Sequence, residues 1–393
     1  MSIHGTYHNF GPMENRNKLQ PIVSQVSDPI VMARDDAEFY NSRGIQKARL
    51  GEYESAITDF DTALRIQPDA ALVYYNRGLA RYSIGQYESA ITDFDTALRI
   101  QPDLVFAYHS RGDVKAELGK LEEAIADFDK AIGIDPRDIE TLNNRGNAKM
   151  ALNQLEEAIA DFDKAINLNS DFEAAYNNRG LAKIRLNKLE EAIADFDAVL
   201  RVRPDFMAAY NNRANVKARL GRLEEAIADY NIALRMDPNL AETYTNRGNV
   251  YADLDELEKA MLDYDKAIQL NPSDVMAYIN RGNTKAMIGE LEEAIADYNI
   301  ALRMDPNLAG VYNNQGIAKS RLERHDEAIA DFDLAISKNP NNPAYYTNRG
   351  IAKMLSGRSE EGRLDLLEAL KLSKNDEQFR AKVEELLKRL ENS

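Results

Sequence analysis

Apolar and small residues recur with a period of 34 along residues 37–376, ten times over, with no residue inserted or lost between blocks. Near-copies show the register directly: residues 57–69 recur at 91–103, and 231–241 recur at 299–309. A period of this length predicts one helix–turn–helix unit per block, stacked into a solenoid. Each fixed position has a physical task. Position 4 is Tyr in nine blocks, with Leu142 in the fourth, and position 24 is Phe or Tyr in nine. Position 8 is Gly in nine, with Ala214 the exception, and positions 20 and 27 are each Ala in nine. Small residues let two helices approach, and the rings fill the space beside them, as native packing density demands. Pro at position 32, in eight blocks, suits the end of a second helix.

The set Tyr176, Gly180, Ala192, Phe196 and Pro204, repeated through residues 37–376, resembles the tetratricopeptide repeat. The resemblance implies an all-α, right-handed superhelical solenoid whose concave surface is lined by the first helix of each block. Two departures stand out. Position 7, usually aliphatic in the family, is Arg in nine blocks and Gln315 in the ninth. The tenth block carries Gly362, Arg363 and Leu366 where Ala, Ile and an aromatic are usual.

Residues 1–36 belong to no repeat; they are polar, with Pro12, Pro21 and Pro29, and read as a flexible arm, helical at most after Asp28 and Pro29. Residues 377–393 read as an amphipathic capping helix: Phe379, Val383, Leu386, Leu387 and Leu390 share one face, and Arg380, Lys382, Glu385, Lys388 and Arg389 the other. Asn375 or Asp376 is expected to cap its start. Such a lid covers the apolar side that a last repeat leaves open.

Composition removes function classes. The chain has no cysteine, hence no disulfide, thiolate nucleophile or Cys-based metal site. No apolar run approaches the roughly 18 residues of a membrane span, and the start lacks a secretory pattern, so a cytoplasmic address is expected. The net charge of −16 argues against a nucleic-acid surface, which needs a basic stripe. Most of the acidity is scaffold. Position 18 is acidic in all ten blocks and position 19 is Glu in seven, at the start of the second helix, where carboxylates complement the dipole. The Asp-x-Asp at Asp59 and Asp61 is not expected to hold a metal, because residues two apart on a helix do not face the same way. His109 and His325 have no second His at ligand spacing. No nucleophile–base set is present, so no catalytic, cofactor or metal residue is nominated and the chain is not expected to be an enzyme.

Position 23 is Asp in every block, from Asp59 to Asp365, against the Arg at position 7. The pairing predicts a repeated, half-buried ion pair, joining helices within a block or between neighbours. Position 6 is Asn in eight blocks: Asn76, Asn144, Asn178, Asn212, Asn246, Asn280, Asn314 and Asn348. This ladder is similar to that in the repeat region of O-linked N-acetylglucosamine transferase, and the resemblance implies amides that hold a peptide backbone in the concave groove, since an amide offers both a donor and an acceptor. The alternative is Asn inherited through duplication, with no ligand. Blocks 2 and 3 add Leu72, Tyr75, Leu79, Tyr82, Phe106 and His109 as an expected apolar, aromatic specificity patch on the same face. Met276, Ile279 and Met287 form a weaker one, and Arg185, Arg219 and Arg321 are expected to favour an acidic partner. Position 5 is never Lys, which disfavours a chaperone-tail carboxylate clamp. The chain therefore reads as a non-catalytic scaffold or adaptor that binds a protein or peptide partner, without nucleic acid or membrane. The rival is a self-associating assembly subunit, a homo-oligomer built through the terminal repeat or the N-terminal arm.

Overall fold

The computed structural model describes residues 36–374 and 376–391, the side chains of 389–391 excepted. The arm expected at 1–36, apart from Asp36, lies outside the described residues, as do Asn375 and the side chains of Arg389 and Leu390. The described residues are all-α. They form ten helix pairs whose first members begin 34 residues apart: α1 (Ala37–Arg49) and α2 (Tyr53–Ile66), α3 (Ala71–Ser83) and α4 (Tyr87–Ile100), α5 (Val105–Glu117) and α6 (Leu121–Ile134), α7 (Ile139–Ala151) and α8 (Leu155–Leu168), α9 (Glu173–Arg185) and α10 (Leu189–Val202), α11 (Met207–Arg219) and α12 (Leu223–Met236), α13 (Ala241–Asp253) and α14 (Leu257–Leu270), α15 (Val275–Ile288) and α16 (Leu291–Met304), α17 (Ala309–Arg321) and α18 (His325–Lys338), and α19 (Pro343–Leu355) and α20 (Ser359–Leu372). A single helix, α21 (Glu377–Glu391), follows. The chain divides into two compact units, residues 1–216 and 217–393. In the first, α1, α3, α5, α7 and α9 lie side by side; in the second, α13, α15, α17 and α19 do.

The large-into-small packing is tight. A Cβ added to Gly112 would lie 2.6 Å from the Phe128 ring, and Phe128 is fully buried. The tenth repeat, read as decayed, is a coherent variant of the same packing. Leu366 is smaller than the usual ring and still wholly buried, so α19 and α20 close in. A Cβ on Gly362 would then sit 2.6 Å from the Gly350 carbonyl oxygen, which is why Ala is absent at position 20 there.

The turn within each pair has one recurring need that the periodic residues did not announce. Position 15 adopts positive φ in all ten repeats, from 58° to 90°. Six are Gly; Asn153, Asn187, Asp255 and Glu323 take the other four. The residue after it closes the helix, as in Glu52 N–H donating to the Lys47 carbonyl at 2.9 Å, the pattern of a left-handed helix stop.

Asp376 caps α21 by accepting from Phe379 N–H at 2.9 Å. The helix lays Val383, with Phe379, Leu386 and Leu387, against Leu366 and Ala369 of α20. Removing residues 377–393 is therefore expected to expose that cluster and fray residues 343–376, with the first repeats unaffected, because stability in such arrays is close to nearest-neighbour. Hydrogen exchange resolved by peptide checks this: uniform loosening of all ten repeats would contradict it.

Candidate functional site

The guanidinium at position 7 joins three elements. Arg111 donates from Nε and Nη2 to Asp127 of its own repeat, at 2.8 and 2.5 Å, and from Nη1 to Asp95 of the preceding repeat at 2.5 Å. Its plane lies over the Tyr108 ring, 5.5 Å from the centroid. The same two-aspartate fork holds around Arg77, Arg145, Arg179, Arg281 and Arg349, with a tyrosine ring beneath each but Arg145, whose repeat carries Leu142. The expected pair within or between blocks is thus both at once. The two acids of Asp-x-Asp point differently: the one at position 23 turns to its own first helix, and the one at position 25 to the next repeat. Arg247 makes the second contact to Asn231 instead.

A base at position 11 was missed by the sequence reading, although it is Lys or Arg in nine blocks. Lys149 Nζ lies 2.7 Å from Asp161, beside Arg145, and Lys115, Lys183 and Lys285 repeat the contact. Each position-23 carboxylate so served is buried among two cations. Burial works against the charge of Asp59, but Arg43 and Lys47 outweigh it and hold its carboxyl below the ordinary range. Burial likewise opposes the charge on Arg111, and Asp127 and Asp95 overcome it.

The ladder asparagines lie along the first-helix face, and none is fully exposed; Asn76, Asn144, Asn212 and Asn246 are buried. Their Nδ2 groups reach the preceding repeat. Asn76, Asn178 and Asn348 donate to the position-5 oxygens of Asn41, Asn143 and Asn313 at 3.1, 3.0 and 2.8 Å. Asn144, Asn280 and Asn314 donate to position 9, on Asp113, Asn249 and Asn283, at 2.9, 2.8 and 3.0 Å. The ladder is thus a run of hydrogen bonds between repeats. Among the described residues, the enclosed oxygens of Asn76, Asn147 and Asn177 accept no bond.

The specificity patch is smaller than expected. Tyr75 and Leu79 are core residues, each 4% exposed, so the expectation that they face solvent is corrected. The Tyr75 ring packs beside Phe94, with centroids 5.8 Å apart, and its hydroxyl meets Ser110 Oγ at 3.5 Å, Ser110 standing where most repeats have Asn. Leu72 and Tyr82 are half-buried, and Phe106 is 54% exposed. Ile279 is buried, while Met276 and Met287 are exposed. Arg185 and Arg321 are occupied at home: each caps the first helix of the preceding repeat, donating to the carbonyls of Met150 and Ala286 at 2.6 Å.

His109 clamps α5 to α7. Its Nε2 is 3.1 Å from Asp113, and its Nδ1 is 2.5 Å from the hydroxyl of Thr141, which itself donates to Asp138 at 2.5 Å. Both ring nitrogens face acceptors, the environment of an imidazolium. Burial disfavours that charge, yet Asp113, then Asp138 and Glu140, lift the imidazole to about 9.

The described residues hold no group of three or more His, Cys, Asp or Glu able to bind a metal, and no helix long and apolar enough to cross a membrane. Models described as tetratricopeptide repeat match residues 71–104, 177–241, 241–274, 263–296 and 313–377, and one described as TPR repeat matches 44–85, 112–152 and 146–185. These segments span well over half of the chain. The chain belongs to the tetratricopeptide repeat family. Such proteins are in general non-catalytic interaction scaffolds, and this TPR chain is an interaction scaffold. No match was found among curated proteins. Among solved structures, the fold is similar to a tetratricopeptide repeat protein from Parabacteroides merdae ATCC 43184, 24% identical over 64% of this chain and 98% of that one, with TM-score 0.50. It is also similar to the Cut9–Hcn1 hetero-tetramer of the APC/C, at 17% identity over 90% and 76%, with TM-score 0.50. A third similarity is to YrrB, a TPR protein with an unusual peptide-binding site, 27% identical over 46% and 92%, with TM-score 0.40.

Two outcomes follow from this geometry. Asp161→Ala leaves Lys149 and two of the Arg145 donors without their acceptor, Asp129 alone remaining to the arginine, and is expected to destabilise by about 2–4 kcal/mol. Glu156→Ala, a solvated first-turn change, should cost roughly a few tenths. Equal effects in thermal melts would rule out the buried ion cluster as a source of stability. For His109 the folded value lies above the unfolded one, so its contribution is present below about pH 6.5 and lost as pH rises through about 9. Melts between pH 6 and 10 should show the parent losing on the order of 1–3 kcal/mol more than His109→Gln across that window; parallel curves would count against the charged clamp.

Proposed function

We propose that the TPR chain binds extended segments of other proteins along the face formed by its first helices, without catalysis. The observation that carries this reading is the surplus of acceptors in repeats 4 and 5. Asn147 and Asn177 keep oxygens that accept nothing among the described residues, on a face otherwise lined by amides bonded to one another. Rotation of its own side chain turns each toward a ligand, where a backbone N–H of an extended chain is the natural donor. Phe106, exposed one helix away on α5, supplies an apolar anchor.

The ladder asparagines Asn76, Asn144, Asn178, Asn212, Asn246, Asn280, Asn314 and Asn348 enter this reading chiefly as the frame that holds the face flat, and secondarily as contacts. Removing them together would loosen the repeats as well as the ligand. Packed helices lie about 8–10 Å apart and an extended chain advances about 3.3 Å per residue. One repeat thus accommodates on the order of three ligand residues. Each amide contact contributes about 0.5–1.5 kcal/mol net, and ordering the ligand takes back roughly 2–5 kcal/mol, so the two free acceptors alone do not hold a ligand and the apolar anchor has to supply much of the affinity.

The test is panning of the full chain against a displayed random-peptide library. Enriched peptides are expected to bind Phe106→Ala about tenfold more weakly and Asn147→Ala/Asn177→Ala a few-fold more weakly, with melting curves unchanged. Peptides that bind all three substitutions as tightly as the parent would place the binding surface elsewhere, and a library yielding no binder would remove the reading.

A further inference from the structure

Repeat 9, residues 309–342, departs from its neighbours at five separate points. Gln315 replaces the arginine; its amide donates to Asn299 at 2.8 Å and makes no contact to Asp331. Asp331 keeps a single cation, Lys319 at 2.7 Å, and that ammonium lies off the hydrogen-bonding direction, so Oδ2 accepts no bond among the described residues. Burial accordingly pushes this carboxyl above the ordinary range, with Lys319 opposing. Glu323 occupies the left-handed turn at φ 58°, the one position-15 residue that is neither Gly, Asn nor Asp. Gly310 stands in the first turn of α17, where it adds backbone entropy to be lost on folding. His325 opens α18 in place of the usual Leu or Tyr, and its Nδ1 is enclosed without a partner among the described residues.

We propose that repeat 9 is the built-in opening point of residues 217–393: α17 and α18 loosen together, while α15–α16 and α19–α20 stay packed. The two junctions of repeat 9 differ in kind. Arg349 ties repeat 10 to Asp333 of repeat 9, as Arg281 ties repeat 8 to Asp265 of repeat 7. Toward repeat 8 that fork is replaced by the Gln315–Asn299 amide contact, and amide pairs are weaker than charge-assisted ones. Subglobal opening is drawn from such low-stability blocks. A ligand lying across α15, α17 and α19 has to close this block, so its affinity is set there as well as by its own contacts.

Hydrogen exchange on the full chain tests the proposal. Amides of 309–342 are expected to exchange at least about tenfold faster than those of 275–308. Gln315→Arg restores the missing cation; Asn299 is a competent acceptor for it, as Asn231 is for Arg247. It should slow exchange in 309–342 by about fivefold or more and leave 275–308 unchanged. Glu323→Gly, on an exposed turn, should act in the same direction even if the arginine proves too large. Asp331→Asn should also protect the block, whereas Asp297→Asn, which breaks a complete cluster, should loosen its own. Equal exchange in the two blocks, or folded Gln315→Arg and Glu323→Gly proteins with unchanged exchange, would overturn it.

Discussion

The guanidinium at position 7, present in nine of the ten repeats, is the charged tie that joins one helix pair to the next. Hydrophobic packing forms each pair, with a ring pressed onto a glycine, but that contact is internal to the repeat. The arginine holds its own second helix through Asp at 23 and the previous repeat through Asp at 25, and it lies on the tyrosine one turn earlier. A planar fork with five donors can do this; an ammonium cannot. The Asn chain on the first-helix face adds a second set of ties between the same neighbours. Polar groups, which contribute little when solvated, therefore fix register here where they are half-buried and paired, as the Arg111 guanidinium is with Asp95 and Asp127.

Much of this was legible in the sequence, because each repeat is nearly a copy and copies reveal which positions have a fixed task. Tyr176, Gly180 and Phe196 announce the helix pair, and the coincidence of Arg at 7 with Asp at 23 announces the ion pair. The left-handed turn was also there to be read, in the Gly, Asn and Asp at position 15. The base at position 11 was equally regular and went unread, because a Lys on a helix is usually solvent-facing. It is the neighbouring Asp, already buried by Arg, that draws it in.

Exposure on the first-helix face was less legible, and Tyr75 shows why. A side chain at position 5 faces the next first helix as much as solvent, so its burial depends on a residue 35 positions later. Ser110 receives the Tyr75 hydroxyl, and the ring sinks beside Phe94. Pairwise compensation of this kind is invisible to a position-by-position reading. The tenth repeat makes the same point: Leu366 and Gly362 look like losses taken singly, and form a closer-packed pair taken together.

Position 25 also bears on growth. Nine repeats offer a plug, the outward Nη1 of the arginine, with the Gln315 amide in the ninth, and nine offer a socket, the acid or amide at 25 that receives the next plug. A block copied in place would find matching fittings on both sides, so the array can lengthen in whole units without new surfaces having to be invented. The tenth repeat has Leu367 in the socket, 41% exposed and unable to accept a hydrogen bond. Beside the α21 residues packed on Leu366 and Ala369, the tenth repeat thus offers an incoming arginine no acceptor at this position.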